Sequence, residues 1–345
     1  MIVIAGDVGG TKTIIQVIHF KSENTQYTVI FEKLFFSNKY HSFDILFTEF
    51  IESFLSQHKN IILNRACLAI AGPIRNNSVD QVAHVTNLPW VIETAKLRTV
   101  LNIKSITLIN DFEAIGHGIN LLKTNDIVQL QEGEKVPHSN KVVLGAGTGL
   151  GICQIVWRDH NYHVQATEGG HCSFAPTDEI QLEFLSYMLN KHEHVSYDQV
   201  LSGPGLINIF SFFVDKYEQQ SSSSVQNIFA QKDIAQAISN DYQKLKYCQF
   251  SVDLFIKIYG AQAGNLALLG LAYGGVYLAG GIAPKLLEHL KAPPFLDYFK
   301  QKGLMESLLN KIPVKVITNQ KVGVLGAATI AYRGLSENTL RVASS

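Results

Sequence analysis

Residues 6–13 read Gly-Asp-Val-Gly-Gly-Thr-Lys-Thr and follow the apolar run Ile2–Ala5 directly. Thr13–Phe20, rich in β-branched residues and partly alternating, comes next. An apolar run, a glycine turn and a second β-prone run predict strand, tight turn, strand. The octapeptide nearly spells a Walker A loop. Thr11, however, stands where that motif needs its last glycine, and a strand rather than a helix is expected to follow. The P-loop reading therefore fails. A glycine turn still suits phosphate, because backbone N–H groups reach it without a Cβ in the way. Asp7 beside those glycines would repel phosphate unless a Mg²⁺ ion lay between them. The same residues also fit an ordinary hairpin with a turn aspartate.

The pattern recurs. Val142–Leu144 leads into GAGTGLG at 145–151, and Ile152–Trp157 follows. The heptapeptide does not match GxGxxG, since position 150 is leucine and position 152 isoleucine, so a dinucleotide fingerprint fails as well. The two stretches read as related glycine hairpins, one per domain. Between and beyond them strands alternate with helices. Cys67–Ile70 reads as a buried strand ending at Ala71-Gly72-Pro73, and Ile106–Ile109 as another ending at Asn110-Asp111. Residues 42–55 place Phe43, Leu46, Phe47, Phe50, Ile51, Phe54 and Leu55 on one helical face, with Ser42 as N-cap. Helices are also expected over Ile180–Leu189 and Gly323–Tyr332, the latter packed back on the first domain. This alternation indicates an α/β sheet, whose ligands gather at strand ends.

With 345 residues the chain suits two domains. It is 46% hydrophobic and 17% charged, which reads as globular. Lysine plus arginine equal aspartate plus glutamate at 29 each, so no strong field gathers nucleic acid or an anionic membrane. Cys67, Cys153, Cys172 and Cys248 are scattered without a CxxC pair, which fits thiols in a reducing cytoplasm better than a zinc site or disulfides. No signal peptide is expected before the first glycine turn. Residues 266–283 are uncharged and approach spanning length, but glycines interrupt them and Pro284 ends them. A helix end, a glycine turn and a buried strand Val276–Ala279 explain them better. Residues 216–225, polar and serine-rich, read as an exposed loop.

Several residues could carry chemistry. Asp111, at a strand end, can act as general base toward a bound hydroxyl while Asn110 orients it. Asp111 also fits as an N-cap for a helix starting near Phe112. Glu168-Gly169-Gly170-His171 packs an acid and a histidine around two glycines, and a carboxylate there suits adjacent sugar hydroxyls. A metal pair is the rival, but further ligands are not evident nearby. Leu201–Gly205 reads as a loop, with Asp198 just before it. Gly274-Gly275 and Gly280-Gly281 bracket the last strand, leaving room for an adenosine or for close helix–sheet packing.

In this order the pieces resemble the bacterial glucokinase family of the hexokinase/actin-like ATPase superfamily. The resemblance runs nearly end to end: GDVGGTKT, AGP at 71–73, TNLPW at 86–90, LINDFEA at 108–114 and GAGTGLG. It continues through EGGH and SFAP at 168–176, HVSYDQVLSGPG at 194–205, GNLAL at 264–268, GGVYLAGGI at 274–282 and Gly323–Gly326. The resemblance implies two α/β domains of the actin-like ATPase (ribonuclease H-like) type with an interdomain cleft. Residues 1–121 plus about 322–340 would form the smaller domain and 122–321 the larger.

It implies an ATP-dependent glucokinase with Asp111 as catalytic base. Asn110, Glu168, His171, Asp198 and, near the cleft, Asn87 would bind the sugar. Gly6, Asp7, Val8, Gly9, Gly10 and Thr11 would form the first phosphate motif, with Asp7 holding Mg²⁺ directly or through water. Gly145, Gly147, Thr148 and Gly149 would form the second, and Gly280-Gly281 the adenosine motif. The implied partners are glucose and MgATP, with neither nucleic acid nor membrane, and a homodimer stays open. Asp198 departs from the family, which has a glutamate there. A kinase for another hexose or an N-acetyl hexosamine therefore remains an alternative. So does a sugar- and ATP-binding regulator without turnover, although no DNA-binding segment is expected before the first hairpin.

Overall fold

A computed structural model describes residues 1–21, 26–77, 80–134, 136–217 and 222–334. The chain divides into two units, one of residues 1–123 with the stretch from Lys321 onward, the other Thr124–Gln320.

The first unit opens with β1 (Ile2–Val8), β2 (Lys12–Phe20) and β3 (Tyr27–Phe36). Helix α1 (Phe43–Gln57), β4 (Arg65–Ile70) and the small sheet β5 (Ile74–Asn76), β6 (Gln81–His84) and β7 (Val91–Glu93) follow. Then come α2 (Thr94–Leu101), β8 (Ser105–Asn110) and α3 (Asp111–Gly118). The main sheet is ordered β3-β2-β1-β4-β8; β1 pairs antiparallel with β2 and parallel with β4, which pairs parallel with β8. Alternation along each strand gives the sheet two apolar faces. One face carries Ile4, Val8, Ile15, Leu68 and Ile70, covered by Phe43, Leu46, Phe47, Phe50 and Phe54 of α1. Each buried ring contributes roughly 1.5–3 kcal/mol of transfer free energy. One expectation fails on α1: Leu55 is 38% exposed, just outside the packed stripe; Ser42 is the N-cap as expected, though its side chain makes no capping bond.

The second unit runs through β9 (Ile127–Gln131), β10 (Lys141–Ala146), β11 (Leu150–Arg158) and β12 (Asn161–Thr167). Helices α4 (Glu179–Leu189), α5 (Gly203–Tyr217), α6 (Ser223–Phe229), α7 (Ile234–Asn240) and α8 (Lys246–Gly270) follow. β13 (Gly275–Ala279), α9 (Ile282–Lys285), α10 (Leu287–Lys291), α11 (Pro293–Lys300), α12 (Glu306–Leu309) and β14 (Val314–Ile317) complete it. Its sheet is ordered β12-β11-β10-β13-β14-β9. The first five strands repeat the order and sense of the first unit's sheet, so the two glycine hairpins occupy equivalent places. α8 is buried nearly all round, as a helix at the centre of a core must be. Its last turn accounts for the start of the uncharged stretch, 266–270, and no described helix is long and apolar enough to cross a membrane.

Two loop expectations are corrected. Helix α5 begins at Gly203, inside the stretch read as a loop, with Pro204 in the first turn, where its missing N–H costs nothing. Residues 216–217 close α5 and 223–225 open α6, so that stretch is helical at both described ends; 218–221 lie outside the described residues.

The last helix, α13 (Val322–Arg333), packs in the first unit on β1, β4 and α3, where Val3, Ala5, Cys67, Ala69 and Ala114 meet Val324, Leu325, Ala327 and Ala328. Residues 335–340, also expected in this region, lie outside the described residues. The α3–α13 crossing is a backbone approach. A Cβ on Gly326 would collide with the Ala114 carbonyl, and one on Gly118 with that of Val322.

Candidate active site

In the first unit the β1–β2 turn closes with the Gly9 N–H donating to Lys12 O at 3.1 Å. Ser37, buried just after β3, pins this turn three ways. Its N–H donates to Thr11 O at 3.0 Å, its hydroxyl donates to Gly9 O at 2.7 Å, and it lies 3.0 Å from the Thr13 hydroxyl. The turn therefore keeps its shape without a ligand. Gly10 packs on the next turn, since a Cβ there would lie 2.7 Å from Thr86 O and 3.5 Å from the Asn87 Cβ. Asn87 is exposed at φ 65°, a left-handed conformation that asparagine tolerates better than most. The Thr86 N–H donates to Ala71 O at 2.8 Å, which ties AGP and TNLPW together.

Asp7 and Asn110-Asp111 lie at the same edge of this sheet, because Asp7 pairs with Ala69 and Ile70 with Asn110. Asn110, not Asp111, is the cap of α3; its Oδ1 accepts from Phe112 N at 2.9 Å and Glu113 N at 3.2 Å. Asp111 is the first residue of the helix, where the macrodipole favours a carboxylate. The Asp7 carboxylate lies beside the start of α13, 3.1 Å from where a Gly323 Cβ would be. Burial first, and the neighbouring Asp111 charge second, push the Asp7 carboxyl up to about 7. An acid raised by burial beside a second carboxylate suits a cation or a held proton.

In the second unit the β10–β11 turn closes with Gly147 N–H donating to Gly149 O at 2.8 Å. The Gly203 N–H, at the start of α5, donates to Gly147 O at 2.8 Å. Thr148 is exposed, and a Cβ on Gly147 or Gly281 would meet nothing within 4 Å. Gly280, at φ 80°, takes a conformation open to glycine and presses on the Ala146 carbonyl, so the turn after β13 abuts the second hairpin. Gly145 is buried within β10.

Glu168 and His171 flank a short turn over Gly169–His171, with Glu168 Oε2 and His171 Nε2 3.9 Å apart and both side chains exposed. Among the described residues no group of three or more His, Cys, Asp or Glu could hold a metal ion. The Asp198 N–H donates to Gly170 O at 2.8 Å, and its Oδ1 accepts from Leu150 N at 2.6 Å.

The first unit thus gathers Gly6–Thr11, Asn87, Asn110 and Asp111. The second gathers Gly145–Gly149, Glu168, His171, Asp198, Gly280 and Gly281. Sequence reasoning missed Ser37 and the bonds of Gly203 and Asp198 to the second hairpin. Nothing local in the sequence marks any of them.

The Glucokinase family model matches residues 4–333. A glucokinase of Nostoc punctiforme is 39% identical over 96% of this chain and 99% of its own length. Among solved structures, a glucokinase from an Antarctic psychrotroph superposes with a TM-score of 0.83 at 28% identity, covering 96% of this chain and 99% of that one. A ROK-family glucokinase from Streptomyces griseus, in complex with glucose and AMPPNP, shares the fold with a TM-score of 0.62 at 17% identity, covering 97% and 100%.

Proposed function

The chain belongs to the glucokinase family, and from that membership we propose a role for each residue of the site. The protein is an ATP-dependent hexose kinase that transfers the γ-phosphoryl of ATP to the 6-hydroxyl of glucose. Asp111 accepts the hydroxyl proton as the sugar oxygen bonds to the γ-phosphorus and the bond to the ADP oxygen breaks. The Asn110 cap uses Oδ1, which leaves its Nδ2 amide to orient that hydroxyl. Glu168, His171, Asn87 and Asp198 bind the remaining hydroxyls, the carboxylates as acceptors.

Backbone N–H groups of Gly6–Thr11 and Gly145–Gly149 hold the phosphates, and the open face at Gly281 admits the adenosine. Asp7, its carboxyl raised by burial and by the neighbouring Asp111 charge, fits a divalent cation, which it would hold directly or through water. When bound, Mg²⁺ neutralises phosphate charge and so favours transfer. Exclusion of water from the bound ligands removes a competing acceptor.

The observation that carries this reading is the Asp7–Asp111 pair at one edge of a sheet. It sets a phosphate-side acid beside a hydroxyl-side acid. A coupled ADP-release assay over glucose, fructose, mannose and N-acetylglucosamine tests it. ADP formation that depends on glucose is expected, and ADP formation indifferent to every hexose would overturn it.

A further inference from the structure

We propose that Asp198 is a positioning residue for the nucleotide as well as a sugar contact: its carboxylate latches the second glycine hairpin in the shape that receives phosphate. The inference rests on reading that hairpin as part of the ATP site.

Asp198 is a three-way junction. Its side chain takes the N–H of Leu150, the residue that ends the GAGTG turn and starts β11, at 2.6 Å. This bond has an ionised acceptor and is therefore among the stronger hydrogen bonds in a protein. Its own N–H goes to Gly170 O at 2.8 Å, in the turn between Glu168 and His171. Its carbonyl accepts the Ser202 hydroxyl at 2.6 Å, and the Ser202 oxygen accepts the Gly205 N–H at 3.0 Å in the first turn of α5. The same helix start holds Gly147 through Gly203 N. The Glu168–His171 turn and the hairpin also touch directly, because a Cβ on Gly170 would collide with Leu150 O. One carboxylate therefore sets the hairpin, the sugar-side turn and the start of α5 in register.

The length of the acid is part of the device. A Cβ on Gly149 would lie 2.6 Å from Asp198 Oδ1, so the hairpin lies against the carboxylate with no room to spare. A glutamate is longer by one methylene, roughly 1.5 Å of bond. It could not occupy this position without moving Gly149 and Leu150. The shorter acid is what fits a hairpin held this closely.

A latch on the hairpin acts before any sugar arrives, whereas a residue that only touches sugar does not. The test is calorimetric titration of Mg²⁺-AMPPNP, without sugar, into the full chain and its variants. Asp198→Ala is expected to bind the nucleotide about tenfold more weakly, the scale of one lost charge-assisted hydrogen bond. Asp198→Asn keeps an acceptor oxygen in place and should recover most of the affinity. Asp198→Glu should weaken binding by displacing Gly149. Wild-type nucleotide affinity in both Asp198→Ala and Asp198→Glu overturns the proposal, as does an Asp198→Asn no better than Asp198→Ala. If Asp198→Ala does not fold, Asp198→Glu decides by the same criterion. A wild-type protein that fails to bind the nucleotide at all would instead indict the kinase reading itself.

Discussion

Asp7→Asn keeps the outline of the side chain and removes its charge. In the fold the Asp7 carboxyl titrates at about 7 against an ordinary 3.8, with burial the larger cause and the Asp111 carboxylate the second. The native state is therefore the tighter proton binder of the two. Below pH 3.8 the group makes no difference to stability. As pH rises from 3.8 toward 7 the unfolded chain ionises first and stability falls; above about 7 the deficit is constant. At 1.36 kcal/mol per pH unit the deficit at pH 8 is about 4 kcal/mol. At roughly 2–4 °C of Tm per kcal/mol, the variant should melt roughly 8–16 °C above its parent at pH 8 and within about 2 °C of it at pH 4. Thermal melts without nucleotide or divalent ion read this directly. MgATP should narrow the gap at pH 8, because the parent carboxylate then gains a cation that asparagine cannot use. An Asp7→Asn protein no more stable than its parent at pH 8, or equally favoured at pH 4, would show that the acid is not strained in this way.

Three further outcomes are expected. Asp111→Asn should lower kcat by about 10²–10⁴ while calorimetric glucose binding persists, and near-normal turnover would remove Asp111 from the role of base. Asn110→Ala should cost about 1 kcal/mol in chemical denaturation, through the lost cap, and should raise KM for glucose. Asn110→Asp should restore the stability but not the KM, so recovery of both would leave Asn110 a cap alone. Gly326→Ala should lower stability by about 1–3 kcal/mol or more, since its methyl would meet the main chain of Ala114 and Gly118, and an unchanged melt would contradict the crossing.

The central framework was legible in sequence because its signals are local. Glycine-dense turns between apolar runs marked both hairpins, and the near-continuous apolar runs marked β4, β8 and β13. Strands β3 and β12 were not anticipated because each is an edge strand with much of its length exposed, which blurs alternation. The start of α5 was hidden by two glycines and a proline that suit a loop equally well. In the site, residue types named the candidates, but their partners lay far along the chain. Ser37 meets Thr13 across 24 residues and Asp198 meets Leu150 across 48, separations at which no pattern in the sequence carries information. Asp111 was weighed as a cap because an acid before a helix usually is one. Asn110, one residue earlier, is the cap, and the acid stands at the first helical position, where its Oδ1 shares the Phe112 N–H at 3.0 Å.

The crossing of α3 over α13 bears on how such a protein can diverge. Asp111 begins one of these helices, and Asp7 lies beside the start of the other. The helices meet through carbonyls set against Gly118 and Gly326. A contact between side chains can be renegotiated, one residue growing as its neighbour shrinks, and each exchange lets helices drift by fractions of an ångström. A contact between main chains has no such currency, because neither party has a side chain to trade. The separation of the two acids is then gauged by atoms that every sequence shares. The apolar filling around them is free to change while that gauge stays the same.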